Sequence, residues 1–325
     1  MIAIQKNNAF NLARLQSLIA LVALCTVIAI LSDKFLTLDN GWNVLRQIAV
    51  NICISVGMTL IVLTAGIDLS VGSVLALCGA VTAGLLKNGI QMPSADLFIG
   101  FTLLGALLAG IISGAALGWF NGFVITKFNV PPFVGTLAML TIARGLTMLW
   151  TQGHPISNLG PAFSTIGTGW FAGIPVPVWI AGVVVLLAIF VTRQTRLGRY
   201  IYAIGGNENA AILSGININK VKLIVYSIAG ALAAVGGIMV TSRLDSAQPN
   251  AGTGYELDAI AAVVIGGTSL SGGKGSIGGT VMGAVIIGVL NNGLVLLNVS
   301  PFWQQVVKGA VILIAVIIDK GSNKK

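Results

Sequence analysis

Residues 192–222 read TRQTRLGRYIYAIGGNENAAILSGININKVK, and long apolar runs lie on both sides of them. The segment has five basic side chains and a single acidic one, Glu208. Basic stretches between apolar runs remain on the cytoplasmic side of a membrane. The segment therefore predicts an all-α membrane protein with several spans, whose main cytoplasmic loop covers residues 193–222.

The centre of this loop has the start and stop signals of a short helix. Asn207 is a good N-cap, Glu208 suits the positive end of the helix dipole, and Gly215 suits the position after the helix end. The predicted body, residues 208–214, has seven residues, whereas an isolated helix needs about 12 to be stable in water. Nothing within the loop is expected to cover its apolar side chains, so we predict that a groove on another protein receives it. These apolar side chains are Ala210, Ala211, Ile212 and Leu213.

The composition is that of a chain solvated mainly by lipid. Apolar residues make up 56% and charged residues 8%, and the mean hydropathy is +0.95. A soluble domain has about 25% charged residues. The net charge of +9 does not indicate nucleic-acid binding, because most basic residues fall in the gaps between apolar runs.

About ten apolar segments approach the roughly 20 residues that a membrane-spanning helix needs. If the N-terminus is cytoplasmic, twelve basic residues lie inside and four outside, which predicts that both termini are cytoplasmic. The whole chain, 1–325, is interpreted as one transmembrane domain. The predicted spans are 15–32, 44–65, 70–87, 96–119, 133–150, 177–192, 223–242, 257–267, 277–297 and 302–318.

Two predicted outer segments are polar, 151–176 and 243–258. The second reads RLDSAQPNAGTGYELD and carries the most charge of the outer segments. It is a candidate face for an extracytoplasmic partner or for the mouth of a pathway, although a simple solvated loop would look the same. Its candidate residues are Arg243, Asp245, Gln248, Tyr255, Glu256 and Asp258.

Three glycines, Gly110, Gly114 and Gly118, are spaced four residues apart in the fourth predicted span. Such a stripe lets helix backbones approach closely in lipid. The pattern is compatible with contact within one chain or between two chains, and it favours the first.

One segment resembles a phosphate-binding loop but fails the test. The pattern GxxxxGK[ST] around Lys274 needs Gly at 268 and Ser or Thr at 275, where this chain has Thr268 and Gly275. We therefore expect that the chain does not hydrolyse ATP itself.

Ion coupling and catalysis also lack obvious groups. Arg144 and Lys308 fall within predicted spans but near enough to an end to extend toward water. Asp68 is expected to cap the start of a helix. The only histidine, His154, has no partner nearby in sequence, and no catalytic, metal or cofactor site is predicted. An ion-driven carrier is disfavoured but stays open, as does a membrane enzyme or scaffold.

Several motifs together resemble the sugar ABC-importer permeases of the ribose type, and the likeness runs over nearly the whole chain. The motifs are TRLGR at 195–199, GGNENAA at 205–211, LSGI at 213–216, GIDLSVGS at 66–73, SAQP at 246–249, GTGYELDAIA at 252–261 and GGTSL at 266–270.

The resemblance implies a homodimeric permease in the bacterial inner membrane. Its implied partners are a cytoplasmic ATPase with tandem phosphate loops, which uses the ATP, and a periplasmic sugar-binding protein. It implies a sugar of the ribose class, with other pentoses, galactosides, autoinducer-2 and nucleosides as alternatives. It also makes the short helix the element that couples to the ATPase, through Gly206, Asn207, Glu208, Ala210, Ala211, Leu213, Ser214 and Gly215.

Overall fold

The structure is a computed structural model that describes residues 2–92 and 97–322. Within these ranges the chain forms thirteen helices and six short strands. The helices are α1 (Ile2–Leu31), α2 (Leu38–Leu63), α3 (Val71–Asn88), α4 (Leu103–Lys127), α5 (Pro132–Thr151), α6 (Pro161–Thr168), α7 (Val176–Gln194), α8 (Arg196–Gly206), α9 (Glu208–Leu213), α10 (Ile218–Leu244), α11 (Tyr255–Ile265), α12 (Ile277–Leu296) and α13 (Pro301–Ser322). The strands form three antiparallel pairs, β1 (Ile90–Met92) with β2 (Leu97–Ile99), β3 (Ile156–Ser157) with β6 (Ser246–Ala247), and β4 (Trp170–Phe171) with β5 (Ile174–Pro175).

Local sequence signals set many of the helix starts. The side chains of Thr102, Asn217 and Ser276 accept hydrogen bonds from the backbone N–H groups three residues later, at 3.0–3.2 Å. Helices α5 and α6 begin with proline, and α7 has Pro177 at its second position; the missing N–H of proline costs nothing in the first turn. These signals fix where α4, α5, α6, α7, α10 and α12 begin.

Seven described helices are long and apolar enough to cross a membrane: α2, α3, α4, α5, α7, α10 and α12. A shorter apolar stretch, Ser17–Leu31, lies within α1. The prediction of an all-α membrane protein is confirmed, whereas the count of about ten spans is not reached by this measure. A helix lies in each of the ten predicted segments.

Helix α11 shows why the eighth predicted span is wrong as a complete crossing. It has eleven residues, which is about 16 Å of helix, whereas the apolar core of a bilayer is about 30 Å thick.

Helices α2, α3 and α10 form the centre of the molecule. Between 61% and 78% of their most apolar windows are buried, against 22% for α4, α5 and α7. The central helices pack through small and branched apolar side chains such as Cys53, Leu75 and Ala233. The outer three helices direct large apolar side chains away from the protein, as lipid contact requires.

The glycine stripe of α4 packs within the chain. A Cβ atom on Gly118 would collide with the carbonyl oxygen of Tyr226, and one on Gly114 with that of Gly230, both on α10. A Cβ atom on Gly110 would meet the side chain of Thr82 on α3. The interpretation that the stripe mediates close packing inside one chain is thus confirmed.

The connecting segments meet in two groups at opposite ends of the bundle. At one end, the backbone N–H of Gly273 donates to the carbonyl of Leu63 at 3.0 Å. At the other end, β3 pairs with β6, and Arg46 lies 4.9 Å from the ring centre of Trp170. We call these the α9 end and the β3–β6 end.

Candidate functional sites

Helix α9 is capped as its sequence predicts. The Oδ1 atom of Asn207 accepts a hydrogen bond from the N–H of Ala210 at 3.0 Å, and the backbone of Gly215 is left-handed with φ +79°. The helix is one residue shorter than predicted, because it ends at Leu213 and Ser214 is its C-cap. The hydroxyl of Ser214 donates back to the carbonyl of Ala210 at 2.9 Å.

The prediction that nothing within the loop covers the apolar side chains of α9 is wrong for Ala211. This residue is 3% exposed and belongs to a cluster with Ile204, Ile218 and Val221. Contact with the chain itself therefore accounts for part of the order of so short a helix. The unpartnered large apolar surface of α9 is confined to its last two residues, Ile212 at 56% exposure and Leu213 at 89%.

Helix α8 was not predicted from the sequence. It begins at Thr195, whose Oγ1 accepts from the N–H of Gly198 at 3.2 Å, and it buries Gly198, Ile201 and Ile204. Their spacing of three residues gives one apolar stripe along the helix, which is a signal that the sequence does contain. The opposite face carries exposed Arg196 and Arg199.

Helix α8 links α9 to the membrane helices. The hydroxyl of Tyr202 donates to the carbonyl of Gly275 at 3.0 Å. Burial raises the pKa of Tyr202, against a smaller opposing effect of Arg193, so this hydroxyl stays protonated and able to donate. Gly205 packs against the carbonyl of Leu63 at the end of α2 so closely that a Cβ atom would not fit.

The failed phosphate loop is a structural turn. Gly272 and Gly273 have positive φ angles of 84° and 70°, and Ser276 caps α12. A shallow cleft of about 220 Å³ lies between this turn and the end of α8, and it is lined in part by Gly206 and Lys274.

Charge at the α9 end is mostly basic. Glu208 and Lys222 form an ion pair at 3.0 Å, so the single acid of the loop is matched within the loop. Arg193 and Lys220 are exposed, as are the two arginines of α8. A partner surface with acidic groups would complement this end.

Asp245 organises the β3–β6 end and is not free on its surface. Its backbone is left-handed with φ +46°, and its Oδ1 accepts from the N–H of Leu159 and the hydroxyl of Ser164, both at 3.1 Å. Ser246 and Ser157 join their hydroxyls at 2.8 Å. Residues 151–176 and 243–247 thus form one interlocked cap.

Beyond Ala247 the chain turns inward, which corrects the prediction that residues 243–258 are wholly an outer loop. Gly252 lies against Gly72, and neither position has room for a Cβ atom. Gly72 is 16 residues from Asn88, the last residue of α3, or about 24 Å of helix. We call residues 248–254 the re-entrant segment.

Arg144 of α5 anchors the re-entrant segment. Its Nη1 donates to the carbonyls of Pro249 and Ala251 at 2.6 and 3.0 Å, and its Nη2 approaches the hydroxyl of Thr253 at 3.4 Å. The prediction that Arg144 extends to water at the end of its span is therefore wrong. A guanidinium group suits this role because its donors form a fixed fork.

Of the six candidate residues in 243–258, only Gln248 has an exposed side chain. Arg243, Tyr255 and Glu256 are half-buried, and Oε1 of Glu256 accepts from the N–H of Gly254 at the start of α11.

Asp258 is buried and paired, so its assignment to an outer face is wrong. Its Oδ2 lies 3.0 Å from Nζ of Lys308 on α13 and accepts from Nδ2 of Asn291 on α12 at 3.1 Å. Lys308 points inward to Asp258, so the prediction that it extends to water is wrong. The pair joins three helices, α11, α12 and α13.

The prediction that Asp68 caps a helix is wrong: Asp68 lies just before α3, but the N-cap is Ser70, and no side chain forms a capping hydrogen bond there. The Oδ1 atom of Asp68 accepts from both the N–H and the hydroxyl of Ser70, at 2.8 and 2.6 Å. The hydroxyl of Ser70 also accepts from the amide of Asn121 on α4 at 3.0 Å. Asp68 thereby fixes the entry into α3 and its contact with α4.

The chain is similar to permease components of known transport systems. The family model for the branched-chain amino acid transport system/permease component matches residues 41–316. The ribose import permease protein RbsC of Escherichia coli strain K12 is 52% identical over 315 residues, covering 95% of this chain and 94% of the relative. The protein of the same name from Bacillus subtilis strain 168 is 49% identical over 309 residues, covering 94% and 92%.

A more distant relative is named for a different sugar. The D-allose transport system permease protein AlsC of Escherichia coli strain K12 is 40% identical over 292 residues, covering 90% of this chain and 86% of the relative. No solved structure matches the chain with significance. The family match covers most of the residues, from the start of α2 into α13, and therefore the chain belongs to the family of permease components of the branched-chain amino acid transport system type.

Proposed function

We propose that this chain is the membrane-spanning permease subunit of an ATP-driven, binding-protein-dependent importer of ribose in a bacterial inner membrane. The observation that carries the proposal is the identity of 49–52% to ribose import permeases over almost the full length of both chains. The chain is not itself an enzyme, and the ATP is used by a partner subunit.

The topology that we propose has ten membrane-embedded helical segments and both termini in the cytoplasm, with residues 1–325 as one domain. The excess of basic residues at the α9 end supports this orientation. The connecting segments also gather at the two opposite ends of the bundle, as they must when successive helices cross the membrane in opposite directions. In this topology α11 and the re-entrant segment together replace one full span.

We propose that α9 couples the permease to the ATPase. Ile212 and Leu213 would enter a groove on the ATPase, and the basic side chains around them would meet acidic groups. Ala211 connects this contact to Ile218 at the start of α10, and α8 connects it to the end of α2. A push on α9 would thus reach two of the three central helices.

The other partners are a periplasmic sugar-binding protein and a second copy of this chain. The β3–β6 end is the side that faces the binding protein in the proposed topology. Gln248 and the half-buried Arg243 remain its candidate contacts, and the half-buried Tyr255 and Glu256 remain candidates for the pathway, since the carboxylate of Glu256 lies beside Gly72 near the start of α3. Asp245 and Asp258 serve inside the chain.

A related sugar is the second candidate substrate, because the D-allose permease is 40% identical to this chain. An ion-driven carrier that works alone is a third candidate and needs no partner.

The test is reconstitution of the chain in vesicles with the ATPase and the binding protein from the same genome. We expect ribose to stimulate ATP hydrolysis and uptake more than allose, xylose or galactose does. The chain alone, with an imposed proton or sodium gradient, is the control. Uptake by the chain alone, or the absence of stimulation by any sugar, would contradict the proposal.

A further inference from the structure

The re-entrant segment, residues 248–254, is not helical; it leaves β6 at Gln248, whose amide donates to the hydroxyl of Ser246, and its later residues lie far from the β3–β6 end. Gly252 touches Gly72 near the inner end of α3, and Arg144 holds two of its carbonyls from the middle of α5. Seven residues of α5 separate Arg144 from Thr151, or about 10 Å of helix. Both contacts therefore lie below the ends of their helices, about 24 Å from the end of α3 at Gly72 and about 10 Å from the end of α5 at Arg144.

Two polar side chains in the inner part of this segment, Asn250 and Thr253, are exposed. On the outer helices, by contrast, the exposed side chains are large and apolar, such as Ile112 on α4 and Leu186 on α7. Irregular backbone and polar groups at such depth are tolerated only where they are buried in protein or line a water-filled cavity. Exposure of polar side chains here thus indicates contact with water and not with lipid.

We propose that the re-entrant segment lines the translocation pathway and that Asn250 and Thr253 hydrogen-bond to the hydroxyl groups of the passing sugar. The proposal rests on the proposed function, because it takes a neutral polyhydroxylated substrate. Amide and hydroxyl groups both donate and accept, which matches a sugar hydroxyl without adding charge.

The anchoring by Arg144 fits this role. Its hydrogen bonds to Pro249 and Ala251 hold the backbone carbonyls on both sides of Asn250. The hydroxyl of Thr253 donates to the carbonyl of Asn250 at 2.9 Å, so the two proposed contacts lie side by side. Discontinuous helices with a polar loop at mid-membrane are a common way to form substrate sites in transporters.

The first experiment measures access of water to the segment. Single cysteines replace Asn250 or Thr253, or Ile112 as a matched apolar control, in the complex with the ATPase and binding protein. A charged, membrane-impermeant thiol reagent should modify the first two and not the third, with the unaltered chain as the baseline for its native cysteines. Ribose with ATP should slow the modification by a factor of about two or more, as half-occupancy of the site would.

The second experiment measures uptake. Asn250→Ala and Thr253→Val should each raise the KM for ribose roughly three- to tenfold, the effect of one lost hydrogen bond, whereas Ile112→Ala should not change it. Cysteines that resist the reagent at both positions would overturn the proposal, as would unchanged KM values in both variants. If the unaltered complex imports none of the sugars, the proposed function fails and the sugar contact fails with it, while the labelling still decides whether water reaches the segment.

Discussion

The ion pair between Asp258 and Lys308 provides a quantitative test of how α11 is held in the membrane. The side chains are 4% and 24% exposed, and they lie 3.0 Å apart. Removing one partner of a buried pair leaves an uncompensated charge and costs about 3–5 kcal/mol. Lys308→Met should destabilise the chain more than Asp258→Asn does. Asp258 is the more deeply buried group, and without Lys308 its charge would retain only the amide of Asn291 as a partner.

The assay is the apparent melting temperature of the purified chain in detergent. A loss of 3–5 kcal/mol should lower it by at least about 5 °C. The double variant with Asp258→Asn and Lys308→Met leaves no charge, and the amide introduced at position 258 can still bond to Asn291, so it should melt above Lys308→Met. Lys222→Met is the matched control: its partner Glu208 is half-exposed, and such pairs contribute about 0–1 kcal/mol.

Two results would refute this reasoning. One is a melting temperature for Lys308→Met within about 1 °C of the unaltered chain. The other is a double variant that melts below Lys308→Met, because the two side chains would then not compensate each other.

Three further predictions concern coupling, topology and packing. Leu213→Asp places a charge on the most exposed apolar residue of α9 and should abolish both co-purification of the ATPase and ribose uptake; normal levels of both would mean that α9 is not the coupling element. A reporter domain fused after Gly206 should be cytoplasmic and one fused after Gly153 periplasmic, and the reverse pattern would invert the proposed topology. Gly118→Ala should destabilise the chain by about 1–3 kcal/mol because its Cβ atom meets α10, whereas Gly145→Ala, with open space around it, should be neutral or slightly stabilising in a melting assay.

The sequence alone determines the features that have local causes. Hydropathy over windows of about 20 residues identifies the membrane class. A segment of that length crosses the bilayer as a helix, because in lipid its backbone N–H and C=O groups can only bond to one another. The caps of α9 at Asn207 and Gly215 could be predicted because each depends on contacts within four residues. The glycine stripe of α4 is likewise visible as a spacing, although its partner helix is not. Helix α8 could also have been predicted, because its apolar stripe is present in the sequence.

The tertiary structure decides what depends on residues far apart in the chain. From the sequence, Ala211 and Leu213 are both expected to be uncovered. The positions of α8 and α10 bury Ala211 and leave Leu213 exposed. Arg144 finds its acceptors 105 and 107 residues away, which no local pattern encodes.

The re-entrant segment and the Asp258–Lys308 pair show the same limit. A hydropathy window reports how apolar a stretch is, but not whether its backbone crosses the membrane or turns back within it. In sequence, residues 248–258 are polar enough for an outer loop, and Lys308 lies 50 residues beyond Asp258. Folding brings the two charges together and supplies Arg144 as a partner for the loop carbonyls, because buried charges and buried carbonyls are stable in lipid only when they are paired.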